Sequence, residues 1–142
     1  MSVKRVTPDE AARLLTQGYQ YVDVRSVPEF QAGHPVGAFN IPLLHATPSR
    51  GMTPNPDFTE VFAHRFLKDD KILVGCKTGG RSRRAAELLC DLGYVAMIDV
   101  RGGFEGERDV LGRTIVTGWK ERGLPVECEA PGRSYEELAK TE

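Results

Sequence analysis

Residues 71–82 read Lys71-Ile72-Leu73-Val74-Gly75-Cys76-Lys77-Thr78-Gly79-Gly80-Arg81-Ser82, an apolar run that leads into a cysteine and a pair of glycines. Alanines and leucines at helical spacing follow up to Leu92, and Gly93 marks the end of the predicted helix. The segment therefore predicts a strand, a tight loop and a helix. Ligands of open parallel sheets bind beyond the carboxyl ends of the strands, where Cys76 would emerge, so this loop is the first candidate for a functional site.

Short runs of branched and aromatic residues recur along the chain, and each is followed by residues typical of a helix start. The five predicted strands are Lys4–Val6, Tyr21–Val24, Ala38–Ile41, Ile72–Gly75 and Val95–Ile98. Because strands and helices alternate, we predict an α/β fold with a parallel sheet.

Helix signals fill several of the intervening segments. Capping boxes of Thr7 with Glu10 and of Ser26 with Glu29 predict the first two helices. The proline-rich stretch from Leu43 to Asp57 predicts an irregular ordered loop. Residues 114–122 predict a helix that buries Trp119 on the same face as two branched neighbours, Ile115 and Val116.

The composition is that of one globular domain: 142 residues, 40% hydrophobic and 27% charged. Nineteen basic residues balance twenty acidic ones, so we expect neither a nucleic acid nor a membrane surface as a partner. Three cysteines without a CxxC pair argue against a disulfide framework or a zinc site. With no secretory signal pattern and no long apolar run, the expected location is cytoplasmic.

The glycine loop after Cys76 has the properties of an anion cradle. Gly79 and Gly80 allow the backbone to curl so that successive N–H groups converge, and the following helix adds the positive end of its dipole. Lys77, Arg81 and two further arginines supply local positive charge. Helix N-termini and nearby cations stabilise a thiolate, so the sequence predicts that Cys76 is a nucleophile.

The same spacing of cysteine, arginine and serine occurs a second time, from Cys128 to Ser134. There, Pro131 lacks an N–H group and Glu129 repels an anion, and the preceding residues make a poor central strand. The spacing alone is therefore not informative, and the strand, glycines and cations around Cys76 make the difference.

Together these motifs resemble the rhodanese-like sulfurtransferases, in particular the single-domain kind of plants and bacteria. The resemblance covers about residues 3–126 and rests on Asp23-Val24-Arg25, Glu29-Phe30, Gly33-His34, Gly37-Ala38, Asn40-Ile41-Pro42, Gly51-Met52, Asn55-Pro56, Cys76 to Ser82, Gly102-Gly103, Trp119 and Gly123-Leu124-Pro125. It implies a five-stranded parallel sheet flanked by helices on both faces. Residues 1–126 would form the single rhodanese domain, and residues 127–142 a polar C-terminal appendage.

The resemblance also implies a reaction. Cys76 would take a sulfane sulfur from thiosulfate or a similar small anionic donor, carry it as a persulfide, and pass it to cyanide or a thiol. A protein acceptor is a further option, and no metal or organic cofactor is required. The loop residues that would bind the donor and the persulfide are Lys77, Thr78, Gly79, Gly80, Arg81 and Ser82.

Two other functions share this architecture. By resemblance, phosphatases and arsenate reductases of the same fold place five residues between cysteine and arginine, whereas here four intervene and position 82 is serine. The shorter loop favours sulfur over a tetrahedral oxyanion. A binding or sulfur-carrier module without turnover would keep the same loop, so the sequence leaves this alternative open.

The remaining candidates have simpler interpretations. We expect Cys90 to be a packing thiol, Cys128 a free surface thiol, and Asp23 with Arg25 a structural ion pair. His34 is expected to form local hydrogen bonds. Relatives place their tryptophan soon after the glycine pair, so the stretch 105–117 is an insertion, which either overhangs the pocket or is an ordinary surface loop.

Overall fold

The computed structural model describes residues 3–140. In chain order the elements are β1 (Lys4–Val6), α1 (Pro8–Leu15), β2 (Gln20–Asp23), α2 (Val27–Gln31), β3 (His34–Pro35), β4 (Phe39–Asn40), β5 (Leu44–Thr47), β6 (Gly51–Pro54), α3 (Phe58–Arg65), β7 (Lys71–Gly75), α4 (Gly80–Asp91), β8 (Ala96–Val100), β9 (Glu107–Arg108), β10 (Thr114–Val116), β11 (Val126–Glu127) and α5 (Tyr135–Lys140).

A five-stranded parallel sheet in the order β1-β8-β7-β2-β4 forms the centre of the fold. Alternate residues of β7 enter different cores, because successive side chains of a strand point to opposite faces. Ile72 and Val74 pack with α3, α4 and α5, whereas Leu73 packs with α1 and α2. The predicted α/β fold with helices on both faces is thus confirmed, and β7 lies in the middle of the sheet.

The first two helices begin where the capping boxes predict. Thr7 Oγ1 accepts a hydrogen bond from the backbone N–H of Glu10, and the Glu10 carboxylate accepts one from the N–H of Thr7. The Glu29 carboxylate likewise accepts hydrogen bonds from the N–H and the hydroxyl of Ser26. These contacts satisfy amide groups that lack a partner inside the helix.

The prediction of an irregular loop between Leu43 and Asp57 was wrong, because this stretch contains an antiparallel hairpin. Strand β5 pairs with β6 from Leu44 opposite Pro54 to Thr47 opposite Gly51. Of the two prolines nearest the hairpin, Pro48 lies in the turn and Pro54 ends a strand. Proline is tolerated at such positions because no ladder hydrogen bond is lost there.

The helix predicted over residues 114–122 was also wrong. Thr114, Ile115 and Val116 form β10, which pairs with β9, and residues 119–123 are turns. Branched residues pack well in strands, and Gly118 disfavours a continuous helix. Trp119 is buried as predicted, but Ile115 is exposed and does not share its surroundings.

The C-terminal segment packs on the sheet-and-helix body. Strand β11 pairs with β3, the backbone N–H of Asn40 donates to the carbonyl of Arg133, and Leu138 of α5 is buried in the core. The short terminal helix predicted from Ser134 and Glu137 is confirmed. Residues 141 and 142 of the predicted appendage lie outside the described residues. None of the helices within residues 3–140 has the length and apolar character needed to span a bilayer.

Candidate active site

Cys76 directly follows the central strand β7 and lies at the base of the glycine loop. Its residue exposure is only 2%, and its sulfur accepts a hydrogen bond from the backbone N–H of Gly79 at 3.1 Å. The loop therefore wraps back over the residue that the sequence singled out, and the sulfur lies under the loop instead of on an open surface.

The glycines allow the turn and start helix α4. Gly79 has φ +121°, a conformation that residues with a side chain rarely adopt. The first hydrogen bond of the helix runs from the N–H of Arg83 to the carbonyl of Gly79. The amides of Gly80, Arg81 and Ser82 therefore have no acceptor within the helix, and the positive end of the helix dipole lies beside the cysteine.

A second glycine turn, at Gly102 and Gly103, lies against the cysteine loop and is hydrogen-bonded to it. The N–H of Phe104 donates to the carbonyl of Cys76, and the N–H of Glu105 donates to that of Lys77, both at 2.8 Å. Gly103 lies so close that a Cβ there would come 2.2 Å from the Cys76 carbonyl oxygen. In the sequence the pair Gly102-Gly103 is only a family motif, but in the structure this turn fixes the carbonyls of the cysteine loop.

Arg81 is bound to a carboxylate of helix α2. Its guanidinium donates to both carboxylate oxygens of Glu29, at 2.7 and 3.0 Å. Burial opposes ionisation of Glu29, but hydrogen bonds from Arg81 and Ser26 outweigh it and lower the pKa of Glu29 to about 2. The arginine therefore ties the start of α4 to α2.

Ser82 connects the loop to two residues that the sequence analysis missed. Its hydroxyl donates to the buried carboxylate of Asp99 on β8, and the same carboxylate accepts a hydrogen bond from Nε of Arg5 at 2.8 Å. Burial raises the pKa of Asp99 despite these hydrogen bonds. Arg5 and Asp99 face each other only because β1 pairs with β8 in this register, which no local sequence signal reveals.

The other predicted loop residues differ in their exposure to solvent. Lys77, Thr78 and Gly80 are exposed, whereas Gly79 and Ser82 are buried. The seven predicted site residues therefore form one continuous loop and first helical turn, with the sulfur beneath them.

The structural interpretations of Asp23, Arg25 and the two other cysteines are confirmed, whereas His34 has one local contact and one with the distant C-terminal segment. Asp23 and Arg25 form a buried ion pair at 2.7 Å. His34 is fully buried, with its ring nitrogens 2.7 Å from the carbonyl oxygen of Phe30 and 3.1 Å from that of Glu129. Cys128 is exposed, and Cys90 is half-buried against the core. In the described range 3–140, no three His, Cys, Asp or Glu side chains cluster in a way that could hold a metal ion.

The sequence matches a known family over most of its length. The profile of the Rhodanese-like domain matches residues 7–107. The chain belongs to the rhodanese-like domain family. This rhodanese-like domain also resembles solved structures: a crystal structure of Rv0390 from M. tuberculosis has a TM-score of 0.75 and 28% sequence identity, and the match covers 91% of this chain and 100% of that one.

Several curated relatives of this rhodanese-like chain are named as sulfurtransferases. "Thiosulfate sulfurtransferase 16, chloroplastic" of Arabidopsis thaliana is 38% identical over 81% of this chain and 85% of its own length. "Thiosulfate sulfurtransferase GlpE" of Haemophilus influenzae is 33% identical over 75% of this chain and 89% of its own length. These relatives confirm the predicted enzyme class, a sulfurtransferase of the rhodanese type. The match spans 59% of another relative, Arabidopsis "Rhodanese-like domain-containing protein 15, chloroplastic".

Proposed function

We propose that this chain transfers a sulfane sulfur from thiosulfate to cyanide or a thiol through a persulfide on Cys76. The Cys76 thiolate attacks the outer sulfur of thiosulfate, and the S–S bond of the donor breaks with its electron pair on the departing sulfite. The outer sulfur remains on Cys76 with one negative charge. Cyanide then bonds to that sulfur, and the electron pair of the broken bond returns to Cys76 as thiocyanate leaves.

The hydrogen bond from the Gly79 N–H to the Cys76 sulfur at 3.1 Å carries this proposal. A preorganised amide beside the sulfur stabilises negative charge there, and the helix N-terminus acts in the same direction. The 2% exposure of Cys76 favours a small donor and a single transferred atom. Lys77, exposed beside the nucleophile, would attract the anion.

The structure gives the phosphatase alternative little support. An arginine one place later in the loop would occupy position 82, which holds a buried serine bonded to Asp99. We therefore propose sulfur transfer, with the cytoplasmic location and the absence of a cofactor as further parts of the proposal.

Intact-mass spectrometry and a thiocyanate assay test the proposal. After incubation with thiosulfate and removal of excess donor, the protein should gain about 32 Da, the mass of one sulfur, and then lose it with cyanide as thiocyanate forms. The Cys128→Ser variant should behave like the wild type. A missing mass increase would contradict the persulfide, and loading without turnover to cyanide or thiols would favour the carrier alternative.

A further inference from the structure

A second feature of the loop is a cleft on its outer side. The cleft has a volume of about 580 Å³ and includes loop residues 77–80. Its other walls are Arg5 of β1, Arg83 of α4 and residues 105–108, which begin the insertion. This volume is within the range of sites for organic ligands, and it is much larger than thiosulfate requires.

Four cationic side chains from separate segments line the cleft: Arg5, Lys77, Arg83 and Arg108. The lining also includes two carboxylates, Glu105 and Glu107. Arg5 is paired with the buried carboxylate of Asp99, and Glu107 is paired with Arg101, whose Nε lies 2.9 Å from its carboxylate. With these two pairs set aside, Lys77, Arg83 and Arg108 face Glu105, an excess of two positive charges. The walls therefore favour a ligand with more than one negative charge.

Two of these arginines are available to a ligand. Arg83 lies 3.7 Å from Glu87 and Arg108 lies 3.4 Å from Glu121, and the side chains of both pairs are about half exposed. Exposed pairs of this kind contribute little free energy and exchange readily for another anion. The hydroxyl of Thr114 accepts a hydrogen bond from Arg108 at 2.8 Å, which orients the guanidinium.

We propose that this cleft binds the sulfur acceptor, and that the acceptor is a small organic thiol with at least two carboxylates. The inference rests on the proposed function. Arg83 and Arg108 hold the carboxylates, and the thiol extends toward the loop end of the cleft at Lys77. The acceptor sulfur bonds to the outer persulfide sulfur, its thiol proton moves to that sulfur, and the bond to Cys76 breaks with its electron pair on Cys76.

The insertion supplies one wall of the cleft. Arg108 belongs to β9, the first strand of the hairpin that the insertion forms with β10. From the sequence alone, this stretch either overhangs the pocket or is an ordinary surface loop. Its contribution of Glu107 and Arg108 to the cleft wall supports a role in acceptor selection.

Single-turnover kinetics with three thiols of different charge test the inference. The protein is loaded with thiosulfate, the added sulfur is verified by intact mass, and its loss is timed with mercaptosuccinate, 2-mercaptoethanol or cysteamine. The variants are Arg83→Gln and Arg108→Gln. Arg113→Gln is the matched control, because Arg113 lies in the same hairpin and pairs with Asp109 instead of lining the cleft.

Each cleft variant should slow transfer to the dianion mercaptosuccinate about fivefold, the size expected for one partly exposed ion pair. Transfer to neutral 2-mercaptoethanol and cationic cysteamine should stay at the wild-type rate, as should loading from thiosulfate. The control should match the wild type throughout. Added salt should reduce the preference of the wild type for mercaptosuccinate, since salt screens exposed charges.

Three results would overturn the inference. Equal slowing with all three thiols would indicate a structural effect of the arginines. Slower loading with unchanged transfer would assign the cleft to the donor, and normal loading with no charge dependence would leave the cleft without a role in transfer. A wild type that gains no sulfur would overturn the proposed function and this inference together, which distinguishes that failure from the other three.

Discussion

The segments Cys76–Ser82 and Cys128–Ser134 share the same spacing of cysteine, arginine and serine, yet their structures differ. Each cysteine directly follows a strand, β7 in the centre of the parallel sheet and β11 in a two-stranded pair. Cys76 is buried with the Gly79 amide at its sulfur, whereas Cys128 is exposed and lies 3.9 Å from a carbonyl oxygen. The strand that precedes each cysteine therefore sets the burial of its sulfur and the groups that surround it.

The arginines and serines differ in the same way. Arg81 binds Glu29 on another helix, while Arg133 binds Glu127 and a nearby carbonyl. Ser82 is buried in helix α4 and donates to Asp99, while Ser134 is half-buried and precedes the six-residue helix α5. Identical spacing therefore produces an anion loop only where a central strand, two glycines and a long helix coincide.

Removal of each thiol should give the largest contrast between the two segments. Cys76→Ser should reduce thiocyanate formation by at least about a thousandfold, because the nucleophile is lost. Cys128→Ser should retain wild-type turnover. Rates that fall equally in both variants, or that persist without Cys76, would contradict the assignment of the nucleophile.

Each segment has one glycine with a positive φ, Gly79 and Gly132, and these two offer the next largest contrast. In Gly79→Ala, the new Cβ would meet the Gly102 nitrogen at 3.3 Å in a backbone conformation of φ +121°, so the loop must shift. We expect turnover to fall about a hundredfold, since a displaced amide no longer reaches the sulfur. Gly132→Ala adds a Cβ into open space and should lower stability without changing the rate. Matching rates in the two variants would argue against a role of the loop geometry.

The two serines should differ in stability. Ser82→Ala leaves the buried Asp99 carboxylate without one of its donors, and should cost about 1–3 kcal/mol of unfolding free energy. Ser134→Ala removes two solvent-exposed hydrogen bonds at the start of α5, one accepted from the N–H of Glu137 and one donated to its carboxylate, and should cost about 0.5–1 kcal/mol. Urea denaturation measures both values, and an equal or reversed order would contradict the role of Asp99 as an anchor.

The glutamate partners of the two arginines should give the smallest contrast, and it should depend on pH. The pKa of Glu29 is lowered from 4.5 to about 2, so its ion pair stabilises the fold above pH 4.5 and loses this contribution as the pH falls toward 2. The stability difference between wild type and Glu29→Gln should shrink over that interval. Glu127, whose pKa is also lowered, should show a weaker effect, because Arg133 contacts one of its oxygens at 2.9 Å whereas Arg81 donates to both oxygens of Glu29. A difference that is constant with pH would contradict the ion pair.

Local patterns predicted much of this molecule. The five strands follow from short apolar runs, and the capping boxes of Thr7 and Ser26 identify two helix starts, because each signal depends only on neighbouring residues. The predicted loop residues also lie together, since they are consecutive in the chain. Their catalytic roles stay predictions until the variants are measured.

What the sequence did not predict depends on contacts between distant residues. Arg5 and Asp99 are 94 positions apart and meet only through strand register. The hairpin of residues 44–54 and the strand at Thr114 were missed because proline content and helical spacing are weak signals when antiparallel pairing decides the structure. The partner of Arg81 could likewise not be read from the loop alone.

The base of the β9–β10 hairpin has a consequence for how this family can diversify. The N–H groups of Trp119 and Lys120 donate to the carbonyls of Gly103 and Phe104, and Gly106 and Gly118 approach so closely that a Cβ on Gly118 would lie 2.3 Å from the Gly106 nitrogen. This backbone stem closes the excursion at its base. The hairpin is therefore an exchangeable module: its length and composition can be redesigned to recognise new acceptors while the reaction centre stays untouched.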